Sequence, residues 1–110
     1  MTFTELIKEV QALPLKEVRT QTHDYFECVI PVESEKSLYA VLENYFGPPF
    51  KPRNVDPSPE AQRYSCNYGG IEKNQIMYYV EKESFSNCAL IWPWRDGKLA
   101  TVKIAQGTIS

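Results

Sequence analysis

The chain has 110 residues, of which 43% are hydrophobic and 24% are charged, and its formal net charge is −2. This length suits one domain with one core, and the composition is that of a globular protein rather than of a disordered chain. The near-neutral charge argues against a dedicated nucleic-acid binder, because such proteins gain most of their affinity by neutralising phosphates.

Neither a membrane span nor a disulfide framework is predicted. The longest apolar run, residues 88–92, is far shorter than the ~20 residues that cross a bilayer. Cys28, Cys66 and Cys88 are odd in number and widely spaced, which excludes a closed disulfide set and a CxxC pair. Cys28 and Cys88 fall at inward positions of predicted strands and are expected to be inert core thiols. We expect free thiols and a cytoplasmic location.

The first half of the chain alternates between helical and strand periodicity. Apolar residues at steps of three and four predict a first helix, which Thr2 caps and Glu5 completes as a capping box. Period-two alternation over residues 16–32 then predicts a β-hairpin. A second helix is expected to start at Ser34, as its N-cap, and to end at Gly47.

A proline-rich loop divides the two halves. Five of the eight prolines lie in residues 47–59, where they exclude both a helix and a central strand. Ser58 and Pro59 then form a helix start, and the paired glycines at 69 and 70 predict the end of this short helix.

The last forty residues predict a three-stranded antiparallel meander over residues 71–81, 86–94 and 98–105. A two-residue turn at Asp96 and Gly97 would place Trp92 opposite Thr101. A three-residue loop with a bulge at Gly97 would instead place Trp92 opposite Ala100, and we prefer it because it pairs large with small residues on one wholly apolar face. The preferred register puts Trp92 in the core and gives the further pairs Leu90 with Val102 and Cys88 with Ile104.

Together these elements predict an α+β fold in the order α-β-β-α-α-β-β-β. An antiparallel sheet of four to five strands, ending in the C-terminal three-stranded meander, is expected to be covered by two main helices and one short helix. Helices and strands alternate too little for a doubly wound fold. We expect residues 1–110 to form a single domain.

No catalytic, metal or cofactor motif is recognisable in the sequence. His23 is the only histidine and no ligand spacing surrounds it, so neither a metal site nor a cofactor is expected. A small enzyme is the alternative to a binding role. Cys66 with His23, or Asp56 with Glu60, would then carry out nucleophilic chemistry or proton transfer.

Aromatic and basic residues are interleaved around the proline-rich loop, the short helix and the second turn of the meander. Partly exposed rings anchor partners or stack on flat ligands, and guanidinium groups favour anions. We therefore favour a non-enzymatic binding module for a protein or a small ligand. Its predicted binding residues are Phe50, Lys51, Arg53, Arg63, Tyr68, Tyr79, Trp94 and Arg95.

Two other interactions are alternatives. Tyr78 or Tyr79 with Lys103 would offer a sheet face to single-stranded nucleic acid, which the charge balance disfavours. A homodimer would form through an apolar second face around Ile91 or through an uncovered strand edge.

Overall fold

The computed structural model describes residues 1–109. Its helices are α1 (Phe3–Gln11), α2 (Glu35–Phe46) and α3 (Pro59–Ser65), and its strands are β1 (Glu17–Gln21), β2 (Tyr25–Pro31), β3 (Ile76–Lys82), β4 (Phe85–Pro93) and β5 (Leu99–Thr108). The strands form one antiparallel sheet in the order β1-β2-β5-β4-β3, in which β3 to β5 are a meander. The predicted α+β fold and element order are confirmed. No helix in residues 1–109 has the length and apolar character needed to cross a membrane.

Helices cover both faces of the sheet. On one, which we call the two-helix face, α1 and α2 pack against inward side chains of the strands, among them Phe26, Cys28 and Ile91. On the other, the short-helix face, α3 and the residues after it pack over Cys88 and Leu90. Both strand cysteines are buried as expected, but they lie on opposite faces of the sheet.

Local side-chain chemistry sets the helix starts. In α1 the Thr2 hydroxyl accepts from the Glu5 amide at 3.1 Å, and the Thr2 amide donates to Glu5 Oε1 at 3.0 Å, which confirms the capping box. Ser34 occupies the N-cap position of α2 as expected, but the capping hydrogen bond expected from its hydroxyl does not form. A 3₁₀ turn precedes α2, and the Ser34 hydroxyl donates instead to the Pro14 carbonyl at 3.0 Å, where it ties α2 to the chain after α1.

The preferred register of the β4–β5 hairpin is wrong. Trp92 lies opposite Thr101 rather than Ala100, and Cys88 lies opposite Ala105. The turn spans the four residues 95–98, and Asp96 Oδ1 accepts from the Lys98 and Leu99 amides, at 2.9 and 3.4 Å. The preferred register was chosen because it paired apolar side chains on one face of the hairpin. This criterion was misleading, since helices cover both faces of the sheet and both faces are apolar.

This register changes which side chains are in the core. Trp92 is only partly buried, on the short-helix face, so its predicted place in the core is wrong. Ile91 is instead fully buried on the two-helix face, where it is not available as a dimer surface.

The proline-rich loop wraps around the outer edge of β3. Phe46, at the end of α2, packs against Tyr78 on the two-helix face, with ring centroids 5.8 Å apart. Lys51 then exchanges two backbone hydrogen bonds of 3.0 Å with Met77 at the strand edge, and Phe50 lies over the short-helix face. The loop therefore covers part of a strand edge that would otherwise be open to pairing.

Two strand boundaries differ from the expectation. β3 starts at Ile76 rather than at residue 71, because residues 72–75 form a turn in which the Gln75 amide donates to the Glu72 carbonyl at 3.1 Å. β5 continues to Thr108 because its last three residues pair with the start of β4, where Phe85 lies opposite Thr108.

Candidate functional site

The structure divides the eight predicted binding residues into three groups with different surroundings. Phe50, Arg63 and Tyr79 lie together on the short-helix face, at the edge that the proline-rich loop covers. The other five form two further groups, Tyr68 with Trp94 and Arg95, and Lys51 with Arg53.

Three aromatic rings on the short-helix face form what we call the aromatic cluster: Phe50, Tyr64 and Tyr79. The two tyrosine rings are stacked, with centroids 4.2 Å apart and planes 4° apart. Phe50 is tilted against both, at 5.9 Å from Tyr64 and 5.6 Å from Tyr79. Three separate elements, the loop, α3 and β3, thus each contribute one ring.

Tyr64 was not among the predicted binding residues. It is one of the aromatic residues interleaved with basic ones in this region, and it shares a helical face with Ala61. Ala61 is fully buried, whereas Tyr64 remains partly exposed. The pattern identifies the side of the helix but not how far a long side chain extends beyond the core.

A cavity of about 300 Å³ adjoins the aromatic cluster. Arg63 lies at its mouth, with its guanidinium carbon 5.2 Å from the centroid of the Tyr64 ring. The cavity is lined by the two tyrosines of the cluster and by Arg63, Glu81, Ser86, Thr108 and Ile109.

Hydrogen bonding fixes the polar side of this cavity. The Tyr79 hydroxyl donates to Glu81 Oε2 at 2.8 Å. Burial raises the pKa of the Tyr79 hydroxyl, and its hydrogen bond to the Glu81 carboxylate raises it further, so the phenol keeps its proton and stays a donor. Among residues 1–109, neither Arg63 nor Glu81 belongs to an ion pair.

The second group surrounds Trp94, on the same face of the sheet. The Trp94 indole nitrogen donates to the Thr101 hydroxyl at 2.9 Å, and the Arg19 guanidinium lies 5.7 Å from the ring centroid. Arg19 was not predicted; it comes from the distant strand β1, at an irregularity in its pairing with β2. Arg95 is exposed in the neighbouring turn.

Tyr68 belongs to a packing contact next to this group. The Lys103 ammonium donates to the Tyr68 carbonyl at 2.8 Å and lies 3.7 Å from the centroid of the Trp92 ring. Burial lowers the pKa of Lys103, and the charge of Glu27 opposes part of that effect. The Lys103 ammonium thereby holds the residues after α3 against the sheet.

Lys51 and Arg53, the third group, are engaged within the protein. Lys51 is 2% exposed, and its ammonium donates to the carbonyls of Lys73 and Gln75 at 2.5 and 2.6 Å. Arg53 donates to the Tyr39 hydroxyl at 3.1 Å and lies 3.6 Å from a Glu35 carboxylate oxygen. These contacts fix the loop, and the Lys51 ammonium is not presented to a ligand.

The residues of the enzyme alternative are not joined by any contact in residues 1–109. The Cys66 thiol donates to the Arg63 carbonyl at 3.1 Å, within its own turn. The His23 side chain is 92% exposed and lies 3.7 Å from Asp24. No group of three or more His, Cys, Asp or Glu in the described residues is placed to hold a metal ion.

The residues of the nucleic-acid alternative are divided between the two faces of the sheet. Tyr78 is 1% exposed, on the two-helix face, and its hydroxyl donates to Glu43 Oε2 at 2.9 Å. Tyr79 and Lys103 lie on the opposite face, in the contacts described above.

Comparisons of the chain with protein-family models, with curated proteins and with solved structures give no match.

Proposed function

We propose that this protein is a non-catalytic binding module and that its contact surface is the aromatic cluster together with Arg63 and the adjoining cavity. The observation that carries the proposal is the exposure of Phe50. Its side chain is 42% exposed although its ring is held against two stacked tyrosines. A large apolar side chain that is ordered and yet accessible is the kind of residue that anchors a partner.

The way the cluster is built supports this proposal. Prolines on both sides of Phe50 restrict the backbone, and the Lys51 hydrogen bonds to Met77 fix the next residue on the sheet edge. A partner that covers Phe50 therefore has little loop motion to immobilise. Pre-organisation of this kind lowers the entropic cost of association.

The surface offers both an apolar and a charged contact. Arg63 lies over the Tyr64 ring and lines the cavity, so its guanidinium is positioned by the ring and offers donors to an anionic group. Trp94 lies on the same face and Arg95 is exposed in the turn beside it, and together they extend the proposed surface toward the β4–β5 turn. A protein segment or a small ligand with a flat apolar part and an anionic group fits these features.

A pair of phenylalanine variants tests the proposal. Phe50 and Phe85 are 42% and 39% exposed, and only Phe50 belongs to the aromatic cluster. Partners captured by the immobilised wild-type protein are identified, and their affinities are then measured for Phe50→Ser and for the matched control Phe85→Ser. Removing an anchor side chain that contributes about 2 kcal/mol to the binding free energy weakens binding about 30-fold. We expect this loss of affinity for Phe50→Ser and not for Phe85→Ser.

Two results would contradict the proposal. Equal affinity of both variants and the wild type would remove the aromatic cluster from the contact surface. A loss confined to Phe85→Ser would move the contact surface to the two-helix face, where Phe85 lies near Phe3 and Tyr45. Circular dichroism and urea unfolding of each variant confirm that the fold is retained before affinities are compared.

We further propose that the protein works in the cytoplasm. All three cysteines are free, and Cys28 and Cys88 are buried on opposite faces of one sheet, where they cannot reach each other. A reducing compartment keeps such thiols unpaired.

A further inference from the structure

Two opposite charges line the cavity beside the aromatic cluster without pairing with each other. Arg63 and Glu81 both border this space of about 300 Å³, and both are exposed. Neither forms an ion pair in residues 1–109, whereas Arg19 and Arg53 each lie within 4.0 Å of a carboxylate oxygen. The cavity therefore has one cationic and one anionic side chain in its lining.

The Glu81 carboxylate is oriented by a hydrogen bond to one of its oxygens, and its other oxygen has no donor among the described residues. Its Oε2 accepts the hydrogen bond from the Tyr79 hydroxyl at 2.8 Å, while Oε1 has no donor among the described residues. Because Tyr79 is stacked beneath Tyr64, the donor that fixes Glu81 is itself held in place. A carboxylate fixed in this way accepts an ammonium group with little further loss of side-chain freedom.

The Arg63 guanidinium is positioned in a similar way. Its carbon lies 5.2 Å from the centroid of the Tyr64 ring, and its side chain donates no hydrogen bond to the described residues. A guanidinium packed on an aromatic ring keeps its fork of donors available to a planar carboxylate. The same lining also contains the apolar surfaces of the tyrosine rings and of Ile109, which is 44% exposed.

We propose that this cavity binds a ligand with a carboxylate and an ammonium group at opposite ends of a short aliphatic chain. The carboxylate binds Arg63, the ammonium binds Glu81 Oε1, and the methylene groups pack on the tyrosine rings and Ile109. A free ω-amino acid has this chemistry, and so does a lysine at the carboxyl terminus of a partner protein. This inference rests on the proposed function and names the ligand class for the same surface.

Probes that differ by one charge test the inference. 6-Aminohexanoate carries both charges, hexanoate only the carboxylate and hexylamine only the ammonium group. Each is titrated into the ¹⁵N-labelled protein, and amide shifts around Glu81 and Thr108 are followed. Exposed ion pairs contribute modestly, so we expect 6-aminohexanoate to bind about threefold to tenfold tighter than either singly charged probe.

Charge-removing variants assign each end of the ligand. Glu81→Gln should abolish the preference for 6-aminohexanoate over hexanoate, and Arg63→Gln should abolish its preference over hexylamine. Glu60→Gln, an exposed carboxylate that does not line the cavity, is the matched control and should keep both preferences. A peptide that ends in lysine, compared with its carboxyl-amidated form, separates the protein source of this chemistry from the free amino acid.

The inference is overturned if the three probes bind equally, or if none shifts these amides up to about 10 mM, a concentration beyond which specific recognition has little meaning. It is overturned as well if the variants leave the preferences unchanged. These outcomes differ from failure of the proposed function, because Phe50→Ser would still weaken partner capture if only the ligand class were wrong.

Discussion

Two buried thiols on opposite faces of the sheet make the stability of this protein sensitive to alkaline pH. Burial raises the pKa of the Cys28 and Cys88 thiols from 9.0 to about 12. The folded protein therefore keeps both protons at pH values at which the unfolded chain releases them. This contribution to stability is complete below about pH 9 and is lost as the pH rises toward 12.

The pKa values give the size of the effect. At pH 10 each thiol lowers the free energy of unfolding by roughly 1 to 2 kcal/mol relative to neutral pH, and the two together lower it by about 3 kcal/mol. Buried tyrosines, whose pKa values burial also raises, add to the loss. These tyrosines are the same in the wild type and in the cysteine variants. The difference between the proteins in how the free energy of unfolding changes with pH therefore measures the thiols alone.

Urea unfolding at pH 8 and pH 10 measures this difference. Between these pH values, the wild type should lose about 2 to 3 kcal/mol more than a Cys28→Ala/Cys88→Ala double variant. Cys66→Ala, which removes an exposed thiol, should keep the pH dependence of the wild type. If the double variant and the wild type lose the same free energy, the thiols are not held protonated by burial and the reasoning is refuted.

Two further predictions concern residues that hold the short-helix face together. Gly69→Ala should lower the free energy of unfolding by about 2 to 4 kcal/mol, because its Cβ would lie 2.5 Å from the Trp92 ring and its φ is +105°. Gly70→Ala, at φ +85° with nothing within 4 Å, meets only the backbone strain and should cost about 1 kcal/mol in the same urea titration. Lys51→Met should lower stability by about 1.5 to 3 kcal/mol, because two partly buried carbonyls lose a charged donor, and any loss of partner capture should accompany this loss of stability. A loss of capture at full stability would instead give the Lys51 ammonium a role in binding.

Helix boundaries could be predicted because they depend on neighbouring residues. The capping box of Thr2 and Glu5 and the cap that Ser58 gives α3 both form as expected. Gly47, with φ +82°, ends α2 at the predicted position. Ser34 is the exception, since a carbonyl twenty residues earlier competes for its hydroxyl, and no local pattern shows that carbonyl's position.

Strand register could not be predicted because it depends on which faces are covered. The alternation of side chains along β4 and β5 is compatible with either turn. The register was chosen because it gave one wholly apolar face. Both faces are in fact covered, so Ile91 and Leu90 are each fully buried although they point in opposite directions. When every position of a central strand is buried, period-two patterning carries no information about its partner.

The composition of the candidate site was predictable, but its assembly was not. Phe50, Tyr64 and Tyr79 meet because the loop turns around β3, and that path depends on Lys51. Prolines have no amide to donate, so the Lys51 amide makes the pairing with Met77, and its ammonium satisfies the carbonyls of the turn before β3. From the sequence alone, a lysine among aromatic residues predicts a ligand contact. In the structure, Lys51 is instead a donor to backbone carbonyls at the edge of β3. Arg63 has no such obligation, which is why we propose Arg63 rather than Lys51 as the cation that binds a ligand.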